Sequence, residues 1–144
     1  LWEWRNDPDT RAGSRQGGPV PWPDHLAWLE SSLTRSDRRL LVAEDGAGPV
    51  GTVRWDLERE GDSERGWQVS ITVAPDRRGQ SMARPLLRAA EVALAREAGV
   101  TAYLAVVHVD NRASVRLFES SGYLPDAPPD PRGFMRFRKT ARVA

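Results

Sequence analysis

The stretch that decides the fold is VAPDRRGQSMAR, residues 73–84. It follows an alternating apolar segment, Trp67–Val73, which predicts a half-buried strand, and it leads into a helical pattern that begins at about Met82. A helix start offers N–H groups without partners and the positive end of the helix dipole, and small residues let an anion approach the backbone. The stretch therefore predicts a phosphate-binding turn. A plain strand-to-helix connection, with Ser81 as the helix cap, is the other interpretation.

The segments on both sides of this turn predict a mixed sheet. Apolar residues at helical spacing from Met82 to Ala98 are followed by a strand at Thr101–Val107. That strand should therefore lie parallel to Trp67–Val73, joined to it by a right-handed crossover. The remaining predicted elements are helices at Leu1–Thr10, Asp24–Leu33 and Asn111–Ser120, a hairpin of Arg39–Glu44 and Val50–Leu57 with its turn at Ala47-Gly48, a last strand at Phe134–Lys139, and turn-rich segments at 13–23, 59–66 and 125–133. A hairpin followed by a βαβ unit is typical of an α+β fold.

Composition narrows the classes of function. The 144 residues fit a single domain, 1–144, and the formal net charge of +1 disfavours nucleic acid and acidic membranes as partners. Without cysteine there is no disulfide, thiolate metal site or cysteine nucleophile, and His25 and His108 are too few for a multi-histidine metal centre. No apolar run reaches the roughly 20 residues that span a bilayer, and no signal peptide is visible. We therefore expect a cytoplasmic protein without a metal.

A second block, NRASVRLFESSGY at Asn111–Tyr123, completes a pattern with the first. The two blocks together resemble the signature of the GNAT acetyltransferases, Arg/Gln-x-x-Gly-x-Gly/Ala followed by Asn-x-x-Ala/Ser-x-x-Leu-Tyr-x-x-x-Gly-Phe. The first half is occupied by Arg78, Gly79, Gln80, Ser81, Met82 and Ala83, and the second is matched at Asn111, Ser114, Leu117, Gly122 and Tyr123. Ser81 departs from the family, which usually has glycine there, but serine is small and keeps its N–H.

The resemblance covers most of the chain and implies a fold and a cosubstrate. The fold is a mixed, mostly antiparallel sheet flanked by helices, in which the parallel strand pair splays apart to hold acetyl-CoA. The pyrophosphate would bind at Arg78–Ala83, and the pantetheine would pair with the main chain of Ile71, Thr72 and Val73. Asn111 and Ser114 would line the other wall, and no metal is implied.

The opening of the chain resembles one branch of this family. Trp4-Arg5-Asn6-Asp7-Pro8, with His25 and Trp28, is similar to the ribosomal-protein acetyltransferases and the amino-sugar-nucleotide acetyltransferases. Members of that branch begin with a strand before the Trp-Arg-Asn helix, and this first strand is missing from a chain that starts at Leu1. We expect a sequence trimmed at its N-terminus, or a part of a longer protein.

The resemblance implies direct attack of an amine on the thioester, without a covalent enzyme intermediate. The oxyanion would be held by a backbone N–H near Ile71 or Thr72. Many relatives have a tyrosine acid where this chain has Phe118, so the proton donor is open: Tyr123 could replace it, or the thiolate could leave unprotonated. The candidates for moving the proton of the amine are His108, Ser70, Asp56 and Glu64.

The function predicted from these features is transfer of an acetyl group from acetyl-CoA to a primary amine of a small molecule, such as an amino sugar or its nucleotide. Two alternatives stay open: an acetyltransferase that acts on a protein N-terminus or lysine, and a non-catalytic acyl-CoA-binding module. The sequence predicts neither a nucleic-acid nor a membrane partner, and it leaves a homodimer as one option for the assembly.

Overall fold

The computed structural model describes residues 26, 27, 29–31, 33, 35–79 and 82–141. Its elements are β1 (Arg38–Asp45), β2 (Gly48–Glu60), β3 (Ser63–Val73), α1 (Ala83–Glu97), β4 (Ala102–His108), α2 (Arg112–Ser120), β5 (Leu124–Ala127) and β6 (Phe134–Thr140), with a 3₁₀ turn at Pro75–Arg77. The described residues of 26–33 are helical, as predicted for Asp24–Leu33. The helix predicted at Leu1–Thr10 lies outside the described residues. None of the helices in the described part is long and apolar enough to cross a membrane.

The described strands form one six-stranded sheet in the order β1-β2-β3-β4-β6-β5. Within it, β3 and β4 are parallel and every other neighbouring pair is antiparallel. This confirms the predicted α+β fold and the parallel pair on either side of the turn for which phosphate binding is predicted. Helix α1 is the crossover between β3 and β4, and α2 follows β4.

The core lies between one face of the sheet and the two helices. Alternate strand residues point into it, among them Trp55 on β2, Val69 on β3 and Ala105 on β4. From α1, the residues predicted as its apolar stripe are the ones that are buried, and they are Leu86, Leu87, Ala90 and Leu94. The other face of the sheet carries the residues between these, so polar side chains on β2, β3, β4 and β6 share that face.

Two predicted turns are wrong in detail. Asp45 accepts the N–H of Ala47 (2.8 Å), which closes the first hairpin at Gly46-Ala47, one residue earlier than predicted, and Gly48 already belongs to β2. The segment 59–66 is strand rather than loop except for Gly61 and Asp62. Strand β5 was missed because all four of its residues are exposed and one is proline, so it carries no alternating apolar pattern.

The parallel pair is closed at one end and open at the other. Pairing joins Trp67 to Tyr103 and Gln68 to Leu104, but β3 continues for five residues and β4 for four beyond these pairs. At the closed end, Gly66 has φ +145°, and a Cβ there would lie 2.5 Å from the carbonyl oxygen of Ala102. Glycine is therefore required at the point where the two strands meet.

We predict that Gly66→Ala destabilises the fold by more than about 2 kcal/mol, because it combines a Gly-only backbone conformation, of order 1–3 kcal/mol, with a clash against backbone. Urea unfolding measures the change. The matched control is Gly46→Ala, where an added Cβ meets nothing within 4 Å and the φ is ordinary. Equal stability of the two variants would contradict the role given to Gly66.

Candidate functional site

The open end of the β3–β4 pair presents backbone polar groups to a gap. The Ala74 N–H donates to Val50 on β2 (2.7 Å). Because N–H and C=O groups alternate sides along a strand, those of Thr72 also face β2, whereas those of Ile71 and Val73 face β4. No strand pairing joins β3 to β4 beyond Gln68. Ile71 and Val73 therefore offer donors and acceptors to an extended ligand that enters the gap.

The loop after β3 brings a helix start to this open end. Gly79 has φ +77°, which explains why glycine occupies the middle of the loop. The cap residue of α1, Met82, makes no side-chain capping bond, and the first turn of α1 has no acidic residue. No acidic side chain of that turn therefore competes for its backbone N–H groups, and this arrangement suits the binding of an anion. Gln80 and Ser81 lie outside the described residues.

An ion pair ties this loop to the first hairpin. Arg77 donates to Asp45, the residue that also closes the Gly46-Ala47 turn. The hydrogen bond from Arg77 lowers the pKa of the Asp45 carboxyl, and the carboxylate in turn raises the pKa of Arg77. Arg77 therefore anchors the loop, and we expect a ligand phosphate to depend less on it than on the backbone and Arg78.

Helix α2 starts on the β4 side of the gap. The side-chain oxygen of Asn111 accepts the N–H of Ser114 at 3.3 Å, so Asn111 is the helix cap that the sequence predicted. The cap engages the oxygen and not the amide nitrogen, which keeps its donor capacity for another partner. The structure brings Asn111 and Ser114 together in the first turn of α2, directly after the end of β4.

A cavity of about 390 Å³ opens on the sheet face opposite α1 and α2. We call it the sheet-face cavity. It reaches the opening of the strand pair, because Gln68 is the last residue of β3 that pairs with β4, and Val106 lies on β4 beyond its last pair with β3. Its described lining residues are Asp56, Leu57, Glu58, Gln68, Val106, Pro128, Asp130, Arg132, Phe134 and Arg136. Of these, only Asp56 is a candidate in the sequence, since residues of β2, β4, β6 and the 128–133 segment meet only through the register of the sheet.

The family model described as "Acetyltransferase (GNAT) family" matches residues 1–123. The chain belongs to this family. Its members transfer acetyl groups from acetyl-CoA, so this chain is an acetyl-CoA-dependent N-acetyltransferase with acetyl-CoA as its cosubstrate. The described residues contain no group of three or more His, Asp or Glu side chains that could hold a metal ion.

Solved structures share this GNAT fold. A spermidine N-acetyltransferase from Vibrio cholerae, in complex with CoA and spermine, has a TM-score of 0.78 and 20% identity over 96% of this chain and 86% of that one. A ribosomal-protein-alanine N-acetyltransferase from Brucella melitensis has a TM-score of 0.77 and 25% identity over 98% and 92%. The GNAT domain of S. lividans PAT has a TM-score of 0.75 and 20% identity over 97% and 81%. No curated protein matches the sequence.

Tyr123, predicted as a candidate acid of this GNAT domain, has a structural role in this geometry. It is 1% exposed, and its hydroxyl donates to the Glu91 carboxylate at 2.7 Å, which Lys139 also contacts at 2.8 Å. Burial, followed by the nearby Glu91 charge, raises the pKa of Tyr123 far above its ordinary value of about 10. A phenol that holds its proton this firmly and already donates it to Glu91 is poorly suited to protonate a leaving thiolate.

His108 and Ser70, the other predicted catalytic residues, are also engaged. The Nε2 of His108 lies 3.0 Å from the carbonyl oxygen of Arg132, and its Nδ1 accepts the N–H of Asp110 at 3.1 Å. Both contacts are satisfied by the neutral ring with its proton on Nε2. The Ser70 hydroxyl accepts a hydrogen bond from Arg54 at 3.2 Å. In this conformation His108 holds the 132–134 segment in place rather than presenting a free base.

Phe118, which stands at the tyrosine position of many GNAT relatives, lies in the core. It is 3% exposed, contacts Tyr123 edge to face with 5.0 Å between ring centroids, and stacks on Phe137 at 6.3 Å. An aromatic trio of this kind fixes the end of α2 against β6. Phe118 has no proton to give, so the side chain at this position cannot act as the acid.

We predict that Tyr123→Phe lowers the free energy of unfolding by about 1.5–3 kcal/mol, the range for a hydrogen bond to a charged group, and leaves kcat unchanged. The folded state keeps the Tyr123 proton above about pH 10, where the unfolded state loses it, so wild-type stability falls as pH rises there and Tyr123→Phe should lack that part of the slope. Urea unfolding from pH 7 to 11 and steady-state rates measure both effects. Tyr103→Phe is the control for the charged hydrogen bond and should cost less at pH 7, since the Tyr103 hydroxyl donates to a backbone carbonyl, at 3.2 Å. A large loss of kcat in folded Tyr123→Phe would restore its catalytic role.

We predict that Ala83→Glu weakens acetyl-CoA binding at least tenfold, about 1.4 kcal/mol, while the fold survives. A carboxylate in the first turn suits the helix dipole but repels and displaces a pyrophosphate at the same N–H groups. Calorimetric titration of acetyl-CoA gives the affinity. Ala89→Glu, on the exposed side of the same helix, is the control and should bind like wild type. Unchanged affinity in folded Ala83→Glu would remove the pyrophosphate from this loop.

Proposed function

We propose that this GNAT domain, residues 1–144, transfers an acetyl group from acetyl-CoA to the primary amine of a small molecule, with an amino sugar or its nucleotide as the leading candidate. The observation that carries the proposal is the strand pair that opens after Gln68 beside the sheet-face cavity. The opening suits the extended arm of CoA. The cavity lies on the sheet face away from α1 and α2, and it suits an acceptor that approaches the thioester from that face.

The residues proposed for the cosubstrate follow from this arrangement. The pantetheine would pair with the main chain of Ile71, Thr72 and Val73, chiefly through the groups of Ile71 and Val73 that face the gap. The pyrophosphate would bind at the start of α1, with Asn111 and Ser114 on the far wall. The loop residues of that pyrophosphate site are Arg78, Gly79, Gln80, Ser81, Met82 and Ala83.

The reaction needs no covalent intermediate on the protein. The lone pair of the neutral amine attacks the thioester carbon, the C–N bond forms, and the C–S bond breaks with its electron pair left on sulfur. The N–H of Ile71 faces the gap and is the proposed donor to the oxyanion, in preference to Thr72, whose N–H faces β2. A free thiol has a pKa near 8.5, so CoA can leave as thiolate and take its proton from water. The attacking nitrogen carries a positive charge once the C–N bond has formed, and it loses a proton to solvent or to a cavity carboxylate.

The sheet-face cavity favours a small acceptor. Its volume of about 390 Å³ lies within the range of about 300–1,000 Å³ typical of small-molecule sites. An amino sugar fits such a space, with any nucleotide part extending outwards. The similarity to a ribosomal-protein-alanine N-acetyltransferase keeps a protein N-terminus as the second candidate, and that acceptor would need an open groove along the same strands.

We expect the purified chain with acetyl-CoA to release free thiol when given an amino sugar or an amino-sugar nucleotide, and to release less with a peptide that carries a free N-terminus. Thiol detection, with mass spectrometry of the product, measures the transfer. Calorimetry of acetyl-CoA alone distinguishes an enzyme from a non-catalytic module. Tight binding of acetyl-CoA without turnover of any amine class would overturn the proposed activity, and faster turnover of the peptide would move the acceptor class to proteins.

A further inference from the structure

The charges of the sheet-face cavity specify the acceptor more closely. We propose that the acceptor carries an anionic group, a phosphate or carboxylate, in addition to its amine, and that Arg132 binds this group. The inference rests on the proposed function, because it assigns the sheet-face cavity to the acceptor.

The three cavity carboxylates already have partners. Asp56 accepts Arg38 at 2.5 Å on one oxygen and Arg54 at 2.8 Å on the other. The Oε1 of Glu58 accepts Arg136, while its Oε2 is buried without a hydrogen-bond partner. Each of these carboxylates therefore carries a charge that an arginine beside it offsets.

The third carboxylate, Asp130, serves the loop. Its Oδ1 accepts the backbone N–H of Arg132 and of Phe134, both at 2.9 Å. These hydrogen bonds, the one from Phe134 first, lower the pKa of the Asp130 carboxyl, so it stays ionised and keeps the turn closed. Its charge is thus used to order the segment that carries Arg132.

Arg132 differs from Arg136, the other arginine among the described lining residues of the cavity. The Arg132 guanidinium lies over the Phe134 ring, 5.8 Å from the centroid. Its charge helps to lower the pKa of the nearby Asp130 carboxyl, but it makes no direct ion pair with a described residue. The backbone beneath it is fixed, because its carbonyl accepts His108 and the next residue, Gly133, bonds Asp130 and Val109 through its N–H and C=O. A held backbone, a stacked guanidinium and an open fork of donors form a pre-organised receptor for a phosphate or carboxylate.

A polycation is a poor match for this cavity. A polyamine carries several ammonium groups, and it would meet Asp56 and Glu58, whose charges arginines already offset, together with the positive charge of Arg132. An acceptor with one amine and one anionic group avoids this repulsion and gains the contact to Arg132. The similar Vibrio cholerae enzyme was solved with spermine, so the inference separates this chain from that neighbour by its acceptor.

The test compares amines that differ only in the distal group. Glucosamine is the neutral reference, glucosamine 6-phosphate and 2-amino-2-deoxyglucuronic acid carry a phosphate or a carboxylate at the same carbon, and spermidine is the polycation. Rates are measured at saturating acetyl-CoA and low ionic strength, because an exposed charge such as Arg132 is screened by salt. We expect at least one anionic sugar to exceed glucosamine and spermidine tenfold or more in kcat/KM, and the better of the two identifies the anion.

The variant Arg132→Gln should raise KM for the preferred anionic sugar at least tenfold, with kcat and the KM for glucosamine nearly unchanged. Arg132→Lys should recover part of the loss, since it keeps the charge without the bidentate fork. Arg96→Gln, in the last turn of α1, is the matched control and should have no effect.

Two outcomes would overturn the inference while leaving the proposed function intact. One is a preference for spermidine or glucosamine over both anionic sugars. The other is an equal effect of Arg132→Gln on neutral and anionic acceptors, which would show a structural role for Arg132. Failure to acetylate any amine despite tight acetyl-CoA binding is a different result, because it would overturn the proposed function itself and the inference with it.

Discussion

The close approach of Gly66 to the backbone of Ala102 sets where β3 and β4 meet, and the geometry of the site depends on where they then part. Two residue pairs close the junction, and beyond them the strands separate. The gap does not arise from a frayed sheet, since β2 pairs with β3 as far as Val73 and β6 pairs with β4 from Ala102 to His108. Antiparallel neighbours hold both outer edges, so the inner edges stay open in a fixed geometry.

A buried ionic cluster holds the helical wall behind this gap. Glu91 on α1 is 3% exposed and joins Tyr123, which follows α2, to Lys139 on β6. A buried carboxylate is costly to desolvate, and here one cation and one hydroxyl compensate it. Such a cluster specifies an arrangement more than it adds stability. It fixes α1 and α2, whose N-termini flank the open strands. Tyr123, a candidate acid in the sequence, therefore contributes to the site by holding these helices in place.

The sequence predicted what local periodicity and chain order determine. The apolar spacing from Met82 to Ala98 gave α1, and a strand–helix–strand order gave the parallel pair. It could not predict contacts that depend on register. His108 and Tyr123 are catalytic candidates in the sequence because their side chains can transfer protons, and the fold engages both in hydrogen bonds. The sheet-face cavity could not be predicted because its residues come from separate strands. Strand β5 could not be predicted because an exposed edge strand has no apolar pattern.

Main-chain groups are proposed to bind the cosubstrate and side chains to bind the acceptor, and this difference explains how far such sequences can diverge. The contacts proposed for acetyl-CoA are made largely by main-chain groups of β3 and by the first turn of α1, which many side chains allow. Structures that share the fold at 20–25% identity fit this view. An acceptor, in contrast, must be recognised by side chains, and in the proposed site these come from β2, β6 and the 128–134 segment. In this chain His108 and Asp130 hold that segment by its backbone, so residue 132 can change its chemistry without moving the strands proposed to bind the cosubstrate. If Arg132 binds the acceptor as proposed, acceptor specificity can evolve there while the acyl-CoA site is preserved.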